Sequence, residues 1–573
     1  MTRLLRTSGV AVAVAVVVVV VCAAVLAACG GSSKPGSSAT TSSTSTAEQA
    51  LAPSTDLSIT ADPSTGAVGP FSAPGGPFIY DKYGRVVLMH GVDLVYKVPP
   101  YEVEVTGSGP NVLTVPEVMR MAALGFDVVR LGIIWTGLEP GSESINDPAV
   151  CNAGKPTASA TSQFETSVFD AYLTRLDSTI AMLARYGIYS LIDMHQDVYS
   201  DVFAGEGAPH WAVCTNGVTP KPRFDIPDWS DNLTGPGVLT AYEHFWENDV
   251  VGNLQGNFDY LWSRIAAHFK GNPWVIGYDP FNEPYGEGLT SGNDEAFDGQ
   301  LQCFFMGTAD PGKNQLGESL TCPADDPSEG LIPQIEAADP THLVFYDTDY
   351  SVDSGPKNYI GPMAEPRLVE NFHDYCFLHV PNGPETADYG QICAPLENLV
   401  FKERSSDRAN DTTPEQPGGP AWFLTEFGAT TDAKDLGRVT ADADSHLVSW
   451  IYWQWIHYDD PTGSHSSGLW PPGPATKSQE EVLSQAYAQA IAGTPTSMSF
   501  DTTDAHFALS YRPKDDIHEP TVISIPSVMH YPNGYCATVS GGHVTSRAGA
   551  QHLDVVSDPA ATTVTVSVVP GSC

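Results

Sequence analysis

Basic residues are scarce in this chain: 27 Lys and Arg stand against 68 Asp and Glu, a formal charge of −41. Such a surface repels phosphate backbones, so nucleic acid is excluded as a partner. The acidic residues are spread without a long single-sign run, which fits a well-solvated exported surface and not an acidic interaction tail. Metal-ligand spacings are also missing, since no CxxC or HxxxH occurs, and no metal is expected. No glycine-rich turn follows the first strand-like run, which argues against an open nucleotide-binding sheet, and no cofactor is expected. There is no internal repeat. The 573 residues suffice for one large catalytic domain and something smaller.

One long uncharged run is present, from Thr7 to Ala28 behind Arg3 and Arg6, and it closes on Leu26-Ala27-Ala28-Cys29. Its length nearly spans a bilayer, so a retained transmembrane anchor is the plain alternative. Small residues before a cysteine instead resemble a bacterial lipobox, which predicts residues 1–29 as a lipoprotein signal and Cys29 as the lipid anchor. Export to the outer face of a bacterial cell membrane, or secretion, follows. Residues 30–75 read as a Ser/Thr/Pro-rich tether whose composition cannot bury enough apolar surface to order itself. Besides Cys22 and Cys29, eight cysteines remain, which allow about 105 pairings. Nearness in sequence favours Cys303 with Cys322 and Cys376 with Cys393; Cys536 with Cys573 would then clip the carboxyl terminus and leave Cys151 with Cys214.

From Val86 to Trp455, short β-rich apolar runs alternate with segments of helical periodicity. The eight runs are 86–94, 127–133, 189–195, 275–281, 342–348, 368–372, 422–426 and 450–455, with helices clearest at 115–124, 164–186, 254–269 and 432–446. Eight strands over some 400 residues predict an α/β fold, a (β/α)8 TIM barrel across 76–494. A helix at 478–492 and then Pro- and Gly-punctuated alternating segments (499–511, 521–524, 536–539, 552–556, 562–568) predict a small β-sandwich over 495–573.

In a barrel the carboxyl ends of the strands face one cleft, so the residues there are read as a set. They are Arg130, His195-Gln196-Asp197, Asn282-Glu283, His373-Asp374-Tyr375, Glu426 and Trp453-Gln454-Trp455. Any one buried His or Arg is commonly a satisfied core group. Six strands delivering polar or aromatic side chains to one end are harder to ascribe to packing. Two glutamates placed just beyond buried strands suggest paired acid and nucleophile chemistry, the arrangement of a retaining glycosidase.

This set resembles glycoside hydrolase family 5. The resemblance implies Glu283 as acid/base, Glu426 as nucleophile, Asn282 on the sugar 2-hydroxyl, Tyr375 on the nucleophile and Arg130 setting its charge. It further implies His195 and His373 beside the sugar and Trp453 beneath it. The phrases Gly91 to Tyr101, Asp193 to Ser200 and Gly207 to Ala212 are similar to the endoglycoceramidase branch, which cuts glycan from ceramide. That similarity adds Lys97, Asp197 and Trp211 as a polar subsite and implies a glycolipid substrate; the N-terminal anchor predicts contact with a membrane surface, and a monomer is expected. Trp211, Phe281 and Tyr285 are expected to form an apolar trough for the lipid. The rival expectations are a cellulase or mannanase of the same fold and a lipid-anchored glycan-binding protein without catalysis.

Overall fold

The computed structural model describes residues 67–141, 165–218, 233–248, 253–286, 294–307, 311–320, 322, 330–376, 390–456, 458, 467–474 and 476–573. The signal with Cys29, nearly all of the tether, and Cys151 lie outside the described residues.

Strands β1 (Ile79–Tyr80) and β2 (Val86–Val87) precede the barrel strands β3 (His90–Leu94), β4 (Val128–Ile133), β5 (Tyr189–Met194), β6 (Val275–Asp279), β7 (Leu343–Asp347), β8 (Leu368–Asp374), β9 (Ala421–Phe427) and β10 (Ser449–Tyr452). β3 to β10 close into a barrel in sequence order, each paired in parallel with its neighbours. Every residue of these eight strands is buried, as parallel strands covered by helices require, which is why they read as apolar runs and not as alternating ones. Helix boundaries follow local chemistry. Helix Val115–Leu124 starts where the Thr114 amide donates to Glu117 Oε2 at 2.8 Å and stops at Gly125, whose φ of 92° is open to glycine at little cost.

Beyond the barrel come β11 (Tyr487–Ile491), β12 (Gly493–Asp501), β13 (His506–Pro513), β14 (Thr521–Ser524), β15 (Tyr535–Ser540), β16 (Gly542–Val544), β17 (His552–Ser557) and β18 (Val564–Pro570). They form two antiparallel sheets, β1-β2-β11-β14-β17-β16 and β12-β13-β18-β15. The inward faces supply a separate core of Tyr487, Ile491, Phe507, Leu509, Tyr511, Ile523, Val555 and Val564 to Val568 at alternate positions.

Three expectations are corrected here. The run 86–94 is two strands: Val86–Val87 pairs with β11 in the sandwich, and only His90–Leu94 enters the barrel. The helix at 478–492 ends at Leu483, and Tyr487–Ile491 is a sandwich strand. Its alanines favour a helix, but their alternation with Tyr487 and Ile491 fits a two-sided buried strand, and tertiary packing decides. The sandwich therefore begins before 495 and recruits residues 79–87 from the other end of the chain. Segment 499–511 is likewise a hairpin of two strands, β12 and β13. Contacts tie the sandwich to the barrel floor: His90 stacks between Trp450 and Tyr487 at 4.1 and 3.7 Å, and the Tyr487 hydroxyl donates to the Gly125 carbonyl at 2.9 Å.

Disulfides join Cys303 to Cys322, Cys376 to Cys393 and Cys536 to Cys573. Cys214 is also disulfide-bonded; the expected pairing with Cys151 falls outside the described residues. No helix among the described residues is long and apolar enough to cross a membrane.

Candidate active site

Arg130 is the centre of the cleft floor. It lies inside β4, not at its end as the sequence suggested, and its fully buried guanidinium reaches four strands. Nε donates to Asp279 at 2.9 Å, one terminal nitrogen to Asp193 at 2.9 Å and to Asn282 Oδ1 at 2.7 Å, and the other to Asp93 at 3.4 Å and to Glu426 Oε1. Strand register makes this possible, since Asp93 pairs with Arg130 across β3 and β4, and Asp193 with Asp279 across β5 and β6. One cation cannot hold four carboxylates ionised in a dry interior. Burial pushes Asp193 and Asp279 up to about 7 despite Arg130, and burial with the nearby Glu426 charge holds Asp93 well above the usual range.

Glu426, in β9, is held on both oxygens: Oε1 by Arg130 and Oε2 by the Tyr375 hydroxyl at 2.8 Å. Burial alone would raise its pKa, but His373 and Arg130, with the Tyr375 hydrogen bond, outweigh burial and lower it. Glu283 follows β6 with a φ of 43°, in the left-handed region, although it precedes Pro284 and an extended backbone is the norm there. Such a conformation costs on the order of 1–3 kcal/mol and persists where surroundings over-determine it. Three main-chain contacts do so: the Glu283 amide donates to Asp347 Oδ2 at 2.8 Å, and Gln196 Nε2 donates to the Asn282 and Glu283 carbonyls at 2.8 and 3.1 Å. Burial, then the Glu426 charge, raises the Glu283 pKa well above the ordinary carboxyl value.

His373 bridges the two glutamates. Its Nδ1 is 2.7 Å from Glu283 Oε1 and 3.8 Å from Glu426 Oε2. Those two oxygens are therefore no more than about 6.5 Å apart, the sum of the two distances, a bound that admits the retaining spacing of about 5–5.5 Å and does not exceed the lower edge of the inverting range.

A second polar group lies beside this pair. Lys97 Nζ contacts Asp197 Oδ2, stands 3.6 Å from Glu206 Oε1 and sits over the Trp453 ring at 4.4 Å. His195 stacks on Trp453 at 5.3 Å and is oriented by Asp193 Oδ2, 2.8 Å from its Nδ1. Burial and the Lys97 charge hold His195 well below its ordinary pKa, so it is neutral. Ligand atoms of His195, Asp197 and Glu206, and of Glu283, Asp353 and His373, lie close enough to suit a metal. In the first group the Lys97 ammonium already occupies the cationic position, and in the second His373 is the hydrogen-bond partner of Glu283.

The structure thus brings together Glu283, Glu426, Arg130, Asn282, His373 and Tyr375, with Lys97, Asp197, His195 and Trp453 alongside. Trp211 is set apart: its described contacts are an edge-on stack with Trp135 at 5.6 Å and a bond to the Glu139 carbonyl at 3.3 Å. Phe281 and Tyr285 are not trough walls. Phe281 is buried among Phe245, Trp246 and Phe258, and Tyr285 packs on Tyr242, so both are core. Sequence reasoning missed Asp93, Asp193, Asp279, Glu206 and Asp347. The first three were visible as single acids inside otherwise apolar strands, a placement that demands a buried counter-charge.

A closed parallel barrel whose strand ends carry a histidine-bridged pair of glutamates, one lowered and one raised in pKa, defines a retaining glycoside hydrolase. Comparison with known proteins gives the particular lineage. Residues 114–459 match the model of the cellulase family, glycosyl hydrolase family 5, and residues 486–568 match the glycoside hydrolase family 5 C-terminal domain. The chain belongs to glycoside hydrolase family 5. It is similar to endoglycoceramidase I of Rhodococcus hoagii (28% identical over 499 residues, 84% of this chain and 85% of that one). It is also similar to an endoglycoceramidase of Hydra vulgaris (25% over 533 residues, 87% and 89%). Among solved structures, endo-glycoceramidase II from Rhodococcus sp. in complex with ganglioside GM3 superposes with a TM-score of 0.63 at 21% identity, covering 87% of this chain and 100% of that one.

Proposed function

We propose that this enzyme hydrolyses the β-glycosidic bond between glycan and ceramide in glycosphingolipids, with Glu426 as nucleophile and Glu283 as acid/base. The observation that carries the mechanism is the His373-bridged pair with opposite pKa directions. Substrate class is supported by the near full-length likeness to proteins named endoglycoceramidases. Glu426, ionised, attacks the anomeric carbon while protonated Glu283 gives its proton to the departing ceramide oxygen. The glycosyl ester that forms carries no charge on Glu426, so the Coulombic reason for Glu283 to hold a proton disappears. Glu283 then takes a proton from water, whose oxygen attacks the same carbon from the vacated side, breaks the ester bond to release Glu426 as a carboxylate, and restores the original configuration. Asn282 has one Nδ2 hydrogen on the Gln196 carbonyl, at 3.1 Å, and a second for the sugar 2-hydroxyl. Lys97, Asp197 and His195, on the Trp453 face, supply the polar grip on the sugar next to the lipid, and the Trp211 loop borders them in sequence.

Mass spectrometry of products from a mixed glycosphingolipid extract tests this, run beside a soluble β-glucan and a mannan. Intact ceramide and an undivided glycan are expected. Release of single sugars from the outer end, or preference for a polysaccharide, contradicts the substrate and leaves the mechanism standing. Attachment to the outer face of a bacterial membrane through Cys29 is part of the proposal, supported by Leu26-Ala27-Ala28-Cys29. Cys29→Ser is expected to leave the membrane fraction or to stall with its signal attached; unchanged detergent partitioning points to a retained helix instead.

A further inference from the structure

Asp347 ends β7, the one barrel strand between β6 and β9 for which the sequence suggested no site residue. It is 1% exposed, and its Oδ2 accepts the amide of Glu283 at 2.8 Å while Oδ1 accepts the Thr348 amide at 2.8 Å. The same Oδ2 lies 3.8 Å from Nε2 of His373, whose Nδ1 is on Glu283 Oε1 at 2.7 Å. That Nε2 has no hydrogen-bond partner among the described residues. Asp347 therefore reaches Glu283 by two routes, directly through a backbone hydrogen bond and, without a hydrogen bond, across 3.8 Å to the imidazole. The backbone contact falls on the residue with the left-handed φ of 43°. Asp353 closes the group from behind, with Oδ1 accepting the His373 amide at 3.4 Å.

We propose that Asp347 is a positioning residue for the acid/base: it fixes the left-handed turn that aims the Glu283 carboxyl and tunes the proton affinity of that carboxyl through His373. The inference rests on the reading of Glu283 as acid/base and deepens it. The ionisable groups that face Asp347 are His373 from β8, Asp279 and Glu283 from β6 and the turn after it, and Asp353 from the 3-10 segment Tyr350–Ser354. Burial pushes Asp347 up to about 8, against the pull of His373. It therefore gains its negative charge just above neutral pH. A charge appearing there makes Glu283 harder to deprotonate and prolongs the protonated, acid-competent form toward alkaline pH.

The test compares Asp347→Ala and Asp347→Asn with Glu283→Gln, using kcat/KM on two aryl β-lactosides, one with a dinitrophenyl and one with an unactivated phenyl leaving group. The dinitrophenyl substrate needs no acid in the step that kcat/KM reports. Asp347→Ala is expected to lose about ten- to a hundredfold on the phenyl substrate and less than threefold on the dinitrophenyl one. Asp347→Asn, which keeps one acceptor for the turn, is expected to lose several-fold less on the phenyl substrate, with the alkaline limb of its pH profile about half a unit to one unit lower. Equal losses on both substrates mean a merely structural role and overturn the proposal, as does an unmoved alkaline limb in Asp347→Asn. If Glu283→Gln itself fails to separate the two leaving groups, the acid/base reading falls first; if it separates them and Asp347→Ala does not, only this inference falls.

Discussion

Replacing Lys97 by methionine separates binding from stability in one side chain. The ammonium is 4% exposed and pairs with Asp197 and Glu206, which are 6% and 0% exposed. Removing it takes the cation away from two buried carboxylates, and breaking such a pair from one side costs about 3–5 kcal/mol. An unfolding entropy of about 2.1 cal/mol/K per residue across residues 57–573 gives roughly 1 kcal/mol/K, so the midpoint should fall by about 3–5 °C at neutral pH. The sign with pH is fixed by Asp197. Burial pushes its carboxyl up, but Lys97 prevails and holds it below the usual range. In the wild type its contribution is therefore present above the unfolded value near 4 and lost as pH falls through the folded one. Without Lys97 the strongest opposition to burial is gone, the folded pKa rises, and the deficit grows as pH rises. Adding Asp197→Asn to Lys97→Met should recover part of the lost midpoint, because one of the two charges that Lys97 compensated is gone. Activity should not return: loss of a charged hydrogen bond to substrate, worth about 1.5–3 kcal/mol, lowers kcat/KM on glycosphingolipid by about ten- to a hundredfold in both variants. Thermal melts at pH 5 and pH 7 with parallel kinetics read all of this. A Lys97→Met midpoint within 1 °C of wild type, or a double variant no better than the sum of its parts, refutes the reasoning.

Three further outcomes follow from the same geometry. Tyr375→Phe removes the 2.8 Å bond to Glu426 Oε2 and should lower kcat/KM by about tenfold or more with a melting midpoint lower by about 1–3 °C; full activity would show that Arg130 alone holds the nucleophile. Burial raises Asp127, Asp193 and Asp279 to about 7, so the native state binds more protons than the unfolded one between pH 4 and 7, and the midpoint should fall as pH rises from 5 to 8; a rise would contradict these assignments. Replacing Cys536 and Cys573 by serine opens a loop of 37 residues at the far sheet of the sandwich and should cost about 2–4 kcal/mol by denaturant unfolding, with kcat/KM on the dinitrophenyl β-lactoside retained.

Barrel strands were legible because each is buried on both faces and bounded by polar turns, and both glutamates were legible because Glu283 follows such a run and Glu426 stands near the end of one. Two nearby disulfides, Cys303 with Cys322 and Cys376 with Cys393, were legible from spacing, and Cys536 with Cys573 followed from them. Residues 79–87 and 487–491 were not, since their pairing is with each other, some 400 residues apart, and two-residue strands or alternating alanines carry no period strong enough to oppose helix propensity. Phe281 and Tyr285 were misplaced because an aromatic next to a catalytic residue looks the same in sequence whether it faces the cleft or the helix layer. Asp347 was missed for a related reason: its contacts are to a main-chain amide and an imidazole that arrive from other strands, and no local phrase marks them.

The assignment of Glu426 as nucleophile is tested most directly by trapping the covalent intermediate with a 2-deoxy-2-fluoro β-lactosyl fluoride and mapping the labelled peptide by mass spectrometry. One glycosyl group per chain, esterified to Glu426 and lost on reactivation with return of activity, is the predicted result. A label on any other residue, or turnover of the reagent with no adduct in the wild type and none in Glu283→Gln, would contradict the two-glutamate account.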